Sequence, residues 1–435
     1  VPRTPFVWSI FTVFLAIRSF ALIPIPYSLE SQRDKELPNF GLQHGALGYS
    51  GGETFKIPLE LKTRVDFWKK IYTETSISQA VIHDSIYPEL TYVVVDISPY
   101  TEQSTIPYGK RMAAMNRFFK IEKSKIASKL RELHNYQGPL ASMPVEILSL
   151  YKKFEPIKEP NKYLNAISRM RAQVGQREHV AKGFVYGGRY FQEMMKIFEQ
   201  KKIPKELTRL PLVESAFNLS AKSKVGASGI WQFMRTTGKQ YLKINRHIDE
   251  RNDPIAATKA AAQLLRSNYE TLGSWPLAIT AYNHGRQGMV RAVASTGSSH
   301  LHHIIKHHKA PSFGFASQNF YSEFLAILEV ERDYKKYFGK MMVDPPLEYE
   351  KVLVLKNSPL SEISSRCQLA IKQLSYYNPA LTDWVISGQG RIPKGFHLKI
   401  PLGTKELCAR PGRSLTSESK TNPAQMVSFN LHSIP

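Results

Sequence analysis

Apolar residues recur at intervals of three and four through most of this chain, and the clearest such stretches predict helices. The first is FKIPLELKTRVDFWKKIYTE, from Phe55, where Val65, Trp68 and Ile71 share one helical face. LTYVVVDI, from Leu90 to Ile97, is short and β-branched and predicts one strand. Helical periodicity then returns from Tyr108 to Leu150 with abundant Lys and Arg. The stretch from Pro160 to Leu207 predicts two or three helices broken at Gly183 and at Gly187-Gly188. Asp253 is an N-cap followed by Pro254, and the helix it opens runs to Gly273. WPLAITAYNHG predicts a short apolar helix ending at Gly285, and NFYSEFLAILEVERDYKKYF, from Asn319, predicts another. Residues 167–337 therefore read as all-α.

The ends differ in pattern. Phe6 to Ile17 is an apolar run between Arg3 and Arg18. It is shorter than the roughly 20 residues of a membrane span and has the length of a secretory signal core. Residues 1–27 thus read as a signal peptide, with an uncleaved membrane anchor as the alternative. Residues 28–165 read as a linker, polar and then Gly-rich to about Ser50, followed by a mostly helical region. Residues 349–402 give a short strand, two short helical stretches and a final strand, and 403–435, rich in Ser, Thr, Pro and Lys, reads as a disordered tail.

Composition narrows the function. Of 435 residues 42% are hydrophobic, enough for a substantial core, and 59 Lys+Arg against 36 Asp+Glu give a net charge of +23. That excess favours a polyanionic partner, yet the basic residues come in pairs such as Lys69-Lys70, with no RNA-binding or zinc-finger spacing, so nucleic acid is not expected. Two cysteines, Cys367 and Cys408, exclude a cysteine-rich metal site and leave open one disulfide or two thiols. HLHHIIKHHK, from His300, holds five histidines but no carboxylate, and reads as a solvated basic loop or helix, not a metal site. His83-Asp84 reads as a surface pair.

The chemistry concentrates elsewhere. RLPLVESAF, from Arg209, places Glu214 in an apolar run and follows it with Ser215. GASGIWQFM follows from Gly226 to Met234, and Ala281-Tyr282-Asn283 closes the set. In order and spacing these motifs resemble the lytic transglycosylases of bacterial cell walls, and SGIWQFM with KELTRLPLVESAFN looks most like their membrane-bound murein subgroup. The resemblance implies a mainly α fold, with a lysozyme-like (SLT) helical domain over 166–340, and a peptidoglycan glycan strand as substrate. No cofactor and no metal are implied.

A carboxyl in an apolar pocket has its pKa raised toward neutrality and is protonated at working pH, which suits an acid that protonates a glycosidic oxygen. Most glycosidases add a second carboxylate, but the available candidates, Asp249 and Asp253, read as loop and N-cap residues. By resemblance, then, the single acid Glu214 serves first as acid and then as base toward the muramic acid 6-hydroxyl, closing a 1,6-anhydro ring. Ser215 is expected near the glutamate or substrate, Gln232 on the sugar, Tyr282 and Asn283 positioning acid and glycan, and Trp231 and Met234 either along the cleft or in the core. Two departures stand out: Phe320 occupies the place of an expected tyrosine, and His284 follows Asn283 where a small residue is common. Residues 349–402 resemble a divergent LysM module, carried by Tyr377-Asn378-Pro379 and IPKGFHLKIP. A hydrolytic muramidase and an inactive glycan-binding protein are the other readings.

Overall fold

The computed structural model describes residues 55–102 and 106–409. The expected leader, the linker to Ser50 and the tail beyond 409 lie outside the described residues. No helix among the described residues is long and apolar enough to cross a membrane. The chain divides into two compact units, one holding residues 55–347 with 378–382, the other 348–377 with 383–409.

The first unit opens with α1 (Lys62–Thr73), strands β1 (Gln79–Asp84) and β2 (Thr91–Asp96), and the long helix α2 (Tyr108–Asn135). Next come α3 (Val145–Phe154), α4 (Lys162–Arg169) and strand β3 (Met170–Val174). The three strands form an antiparallel sheet in the order β2-β1-β3, with Ile82 opposite Val93 on one side and Ala172 on the other. Two strands, β1 and β2, thus stand where one was expected in the mostly helical region before residue 165, and β3 interrupts the stretch expected to be all-α from residue 167. β1 is central and buried along nearly its whole length, so it lacks the alternation that marks a half-buried strand. β3, MRAQV, is polar enough to pass for a helix end.

Helices α5 (Arg177–Gly187), α6 (Phe191–Gln200), α7 (Leu210–Ser215), α8 (Pro254–Leu272), α9 (Trp275–His284), α10 (Arg286–Thr296), α11 (Leu301–His307) and α12 (Phe315–Arg332) follow. Asp253 caps α8 through the backbone N–H groups of Ile255 (2.9 Å) and Ala256 (3.0 Å), as its sequence predicts. One core joins Phe55, Trp68 and Tyr72 to Phe184, Trp231 and Phe324. Helix α1 is therefore built into the same core as the helices from 177 onward, and β3 pairs across the division expected at 165/166. A second core, containing Ile82, Phe119, Leu130 and Phe154, fills the space between the sheet and α2. Gly183 is no helix break but lies inside α5, where a Cβ would meet Leu212 Cδ2 at 2.8 Å and Ala216 O at 2.9 Å. A hydrogen in place of a side chain is what lets α5 approach α7.

His83 and Asp84, expected at the surface, are fully buried. Asp84 is satisfied by Arg169 Nε (2.8 Å) and by the backbone N–H groups of Ile86 (2.8 Å) and Tyr87 (3.1 Å). The His83 ring packs between Phe67 and Phe315, and burial, only partly opposed by its bond to Asp84 O, lowers its pKa to about 3. It is a neutral core residue at working pH. The histidine stretch forms α11, with Leu301, Ile304 and Ile305 buried, so it is an amphipathic helix with an apolar face committed to the core.

One buried ion pair ties α7 to α12. Arg209, at the N-terminus of α7, is 1% exposed and donates from Nε to Glu331 Oε2 (2.9 Å) and from Nη2 to Oε1 (2.8 Å). Its guanidinium also lies 4.2 Å over the Phe191 ring and bonds Thr208 Oγ1 at 2.6 Å. The second unit holds β4 (Tyr349–Leu353), helices α13 (Leu360–Cys367), α14 (Ile371–Tyr377) and α15 (Asp383–Ile386), β5 (His397–Pro401) and α16 (Lys405–Ala409). β4 and β5 pair antiparallel, and a Cys367–Cys408 disulfide fastens α13 to α16. Ordered chain thus continues past the expected tail boundary at 403, because Cys408 is tethered.

Removing one member of a buried pair strands the other charge, at a cost of about 3–5 kcal/mol. Arg209→Met should lose that much in urea denaturation of the full chain. Arg209→Met/Glu331→Leu should recover most of it.

Candidate active site

Helix α7 is short because its sequence opens and closes it abruptly. Pro211 sits in the first turn, and Ala216 (φ 48°) and Phe217 (φ 59°) leave the helix in left-handed backbone. Such backbone costs a residue with a side chain about 1–2 kcal/mol. Burial of Phe217, stacked on Tyr190 and edge-on to Phe191, offsets that cost. Glu214 is left at the end of the helix, half-buried. Its surroundings nevertheless desolvate the carboxyl and lift its pKa from 4.5 to about 8.

The loop from Gly226 to Met234 lies beside it and is fastened at several points. Ser215 Oγ donates to Ile230 O (2.9 Å) and to Pro211 O (3.2 Å). Ser215, expected near the glutamate or the substrate, is 1% exposed, so its hydroxyl is spent on joining helix to loop. Arg251 donates to Gly226 O (2.8 Å) and Phe233 O (3.1 Å) while paired with Asp249. Gly229 (φ +75°) packs its Cα against Arg251 O, which an added Cβ would meet at 1.8 Å. Gln232 also adopts left-handed backbone (φ 48°) and donates Nε2 to Gly229 O (2.7 Å) and Ala221 O (3.3 Å). Its amide oxygen is thereby left as the group that can accept from a ligand.

Trp231 belongs to the core: it is fully buried, stacked on Phe198 and bonded to Thr258 Oγ1 at 2.9 Å. Its carbonyl accepts from Tyr282 Oη at 2.8 Å, which joins α9 to the loop. Burial and then the charge of Glu214 push the Tyr282 hydroxyl well above its ordinary pKa, so it remains a proton donor beside the acid. Asn283 is exposed, with Oδ1 accepting from Ser317 Oγ at 3.0 Å. Met234, 40% exposed, ends the loop at the surface. His284 packs edge-on to Phe313 and reaches Ser317 Oγ at 3.3 Å.

A second carboxylate, not singled out in the sequence, enters on α12. Glu323 lies one turn beyond Phe320, whose ring stacks on Tyr282 at 6.5 Å. It also lies one turn beyond Asn319, whose Oδ1 accepts from Trp68 Nε1 at 3.2 Å. That places it between α9 and α1, where the buried Tyr72 has its hydroxyl pKa raised by burial and then by the charge of Glu323. The Glu323 carboxyl is itself lifted to about 8, by burial first and by the charge of Glu214 second. Repulsion between two carboxylates is reciprocal, so the pair keeps proton occupancy at neutral pH. The signal for Glu323 was present: YSEFLAIL is a lone acid in an apolar run, as RLPLVESAF is. Among the described residues no three His, Cys, Asp or Glu side chains converge as a metal set.

A helical domain with an acid at the end of a short buried helix, facing a Gly-rich loop, defines a lysozyme-like class. Residues 189–305 match the family Transglycosylase SLT domain. Over 220 residues the chain is 26% identical to "Membrane-bound lytic murein transglycosylase D" of Escherichia coli strain K12, covering 48% of each chain. The protein of the same name from Escherichia coli O6:H1 matches equally. Over 99 residues it is 36% identical to "Putative tributyltin chloride resistance protein" of Alteromonas sp. strain M-1, covering 22% of this chain and 48% of that one. The chain spans about half the length of the curated relatives it matches. Glu214, Gln232 and Tyr282 fall inside the matched domain and Glu323 beyond it.

A carboxyl whose folded pKa is about 8 instead of 4.5 holds its proton in the native state while the unfolded chain releases it. Stability therefore falls as pH rises from 4.5 to 8. Glu323→Gln removes this loss, so its stability relative to the parent should grow across that window and level off above it. The gain, read from unfolding midpoints at several pH values, should reach on the order of 2 kcal/mol after discounting for solvent access.

Proposed function

We propose that this chain is a peptidoglycan lytic transglycosylase that cleaves the β-1,4 bond between N-acetylmuramic acid and N-acetylglucosamine and leaves a 1,6-anhydromuramic acid end. The observation that carries this reading is the Glu214 carboxyl within a transglycosylase SLT domain, held protonated to about pH 8 by burial. Protonated Glu214 gives its proton to the glycosidic oxygen as the C1–O bond breaks. The carboxylate then takes the proton of the muramic acid 6-hydroxyl, whose oxygen bonds to C1. The proton is returned, the ring closes, and no water is consumed.

The neighbouring groups support both steps. Tyr282 fixes the loop through Trp231 O and keeps a phenol beside the acid. The free amide oxygen of Gln232 accepts from the sugar, most naturally from its N-acetyl N–H, and Asn283 and Met234 line the glycan at the surface. Ser215 positions the acid by locking α7 to the loop. Glu323, itself held protonated to about pH 8, leaves the surroundings of Glu214 free of a second negative charge at neutral pH. It also supports a second reading, hydrolysis: a second carboxylate is what a water-activating glycosidase requires.

The second unit, with its strand–helix–helix–strand order, serves in this reading as a LysM-like module that raises the local glycan concentration at the acid. The site of action is the cell envelope. A disulfide between Cys367 and Cys408 suits an oxidising compartment, and the apolar run Phe6 to Ile17 suits export or membrane association. The partner is the glycan strand, with no nucleic acid.

Digestion of purified sacculi followed by mass spectrometry should yield anhydromuramoyl ends; reducing muramic acid ends would establish hydrolysis in its place. Glu214→Gln should lower digestion by about 10²–10⁴-fold with sacculus binding retained. A wild-type chain that pellets with sacculi but digests nothing would establish a binding protein. Because the acid must be protonated, activity should fall as pH rises through about 8. Glu323→Gln should leave that alkaline limb close to its parent position, since burial is what raises the Glu214 carboxyl.

A further inference from the structure

Far from Glu214 in the sequence, α2 and β3 enclose a groove of about 750 Å³. Lys120, Lys123, Arg131 and Arg171 line it, with Phe119 and Met170 among its apolar walls and no Asp or Glu. Elsewhere on α2, Lys125 pairs with Glu122 and Lys129 with Glu146. None of the four groove cations has an ion pair among the described residues. Arg171 lies 4.3 Å over the Phe315 ring, and its buried Nε has no hydrogen-bond partner. Lys123 is held below the ordinary lysine pKa by burial and by Arg171. Four cations gathered without a counter-charge repel one another, and an anion in the groove relieves that repulsion.

The strand side of the groove adds a second observation. The order β2-β1-β3 makes β3 an edge strand. Ser85 N donates to Arg169 O and Gly175 N to Gln79 O, which sets the phase of the β1–β3 ladder. In that phase Arg171 and Gln173 bond toward β1, while the N–H and C=O of Ala172 point away from it. Ala172 lines the groove. An open strand edge is a template for another extended backbone.

We propose that this groove binds an extended acidic peptide, which adds as a strand to the open edge of β3 and sets its carboxylates against Lys120, Lys123, Arg131 and Arg171. The dimensions agree. From Lys120 to Arg131 the basic stripe runs about 16 Å along α2, and side chains on one face of a strand repeat every ~7 Å, so two or three carboxylates fit along it. The apolar walls receive the alternate side chains. The proposed occupant is a separate molecule; neither residues 28–54 nor residues 410–435 form an acidic run. Residues 410–435 carry one acid, Glu418, against Arg410, Arg413 and Lys420, and in residues 28–54 Glu30, Asp34 and Glu36 are interspersed with Arg33 and Lys35 while Glu53 stands apart.

The test is fluorescence anisotropy of the full chain with a fluorescein-labelled peptide of alternating Val and Glu. Saturable binding is expected, weakening about tenfold or more in Lys120→Glu/Arg131→Glu, since charge opposition across an interface costs at least that much. Both residues are exposed, so the variant should keep the parent's unfolding midpoint. N-methylation of alternate peptide nitrogens should abolish binding by removing the strand hydrogen bonds. The proposal is overturned if the peptide does not bind, if the double variant binds as the parent does, or if the N-methylated peptide binds equally. It is also overturned if inorganic polyphosphate binds at this site while the peptide fails.

Discussion

The bidentate contact between Arg209 and Glu331 is the constraint from which the candidate site follows. An arginine and a glutamate removed entirely from water tolerate no alternative partner, so they set the register of α7 against α12 to within a hydrogen-bond length. That register brings Glu214, at one end of α7, and Glu323, two turns before Glu331 on α12, into one electrostatic environment. Neither helix creates that environment alone. The stacked rings of Phe320 and Tyr282 close it on the α9 side, and Tyr72 on the α1 side.

The second requirement is a rigid loop. Four fastenings of residues 226–234 use the loop's own backbone carbonyls as acceptors: Ile230 for Ser215, Trp231 for Tyr282, Gly226 and Phe233 for Arg251. Backbone held this way admits two strained features at functional distance, the close approach of Gly229 to Arg251 and the left-handed Gln232. Strain of this kind persists only where the surroundings over-determine it. Several of the expected site residues thus act through the loop, and Gln232 keeps its free acceptor because its donors are used inside the protein.

The two carboxyls also bear on the chemistry. With one acid, ring closure by the substrate's own hydroxyl is the natural outcome; with two, activation of water becomes available. Phe320, which lacks the hydroxyl expected at its position, contributes an apolar ring to the same enclosure and keeps the desolvation high. In the proposed reaction the balance between the two outcomes would turn on Glu323, which sits on α12 outside the span of the matched domain.

What the sequence alone determined is local. The α8 boundaries follow from Asp253, Pro254 and Gly273, the end of α9 from Gly285, and the acid, loop and Tyr-Asn motifs from their order and residue types, because caps, turns and apolar spacing act over a few residues. What only the tertiary structure decided is long-range. Central strand β1 carries no alternation, since both its faces are covered. His83 and Asp84 are buried because Phe315 and Arg169, distant in sequence, supply their partners. Cys367 and Cys408 are paired because α13 and α16 meet, and Glu323 is joined to Glu214 because a buried ion pair fixes two helices. In each case the deciding contact is with a residue that no short window of sequence contains.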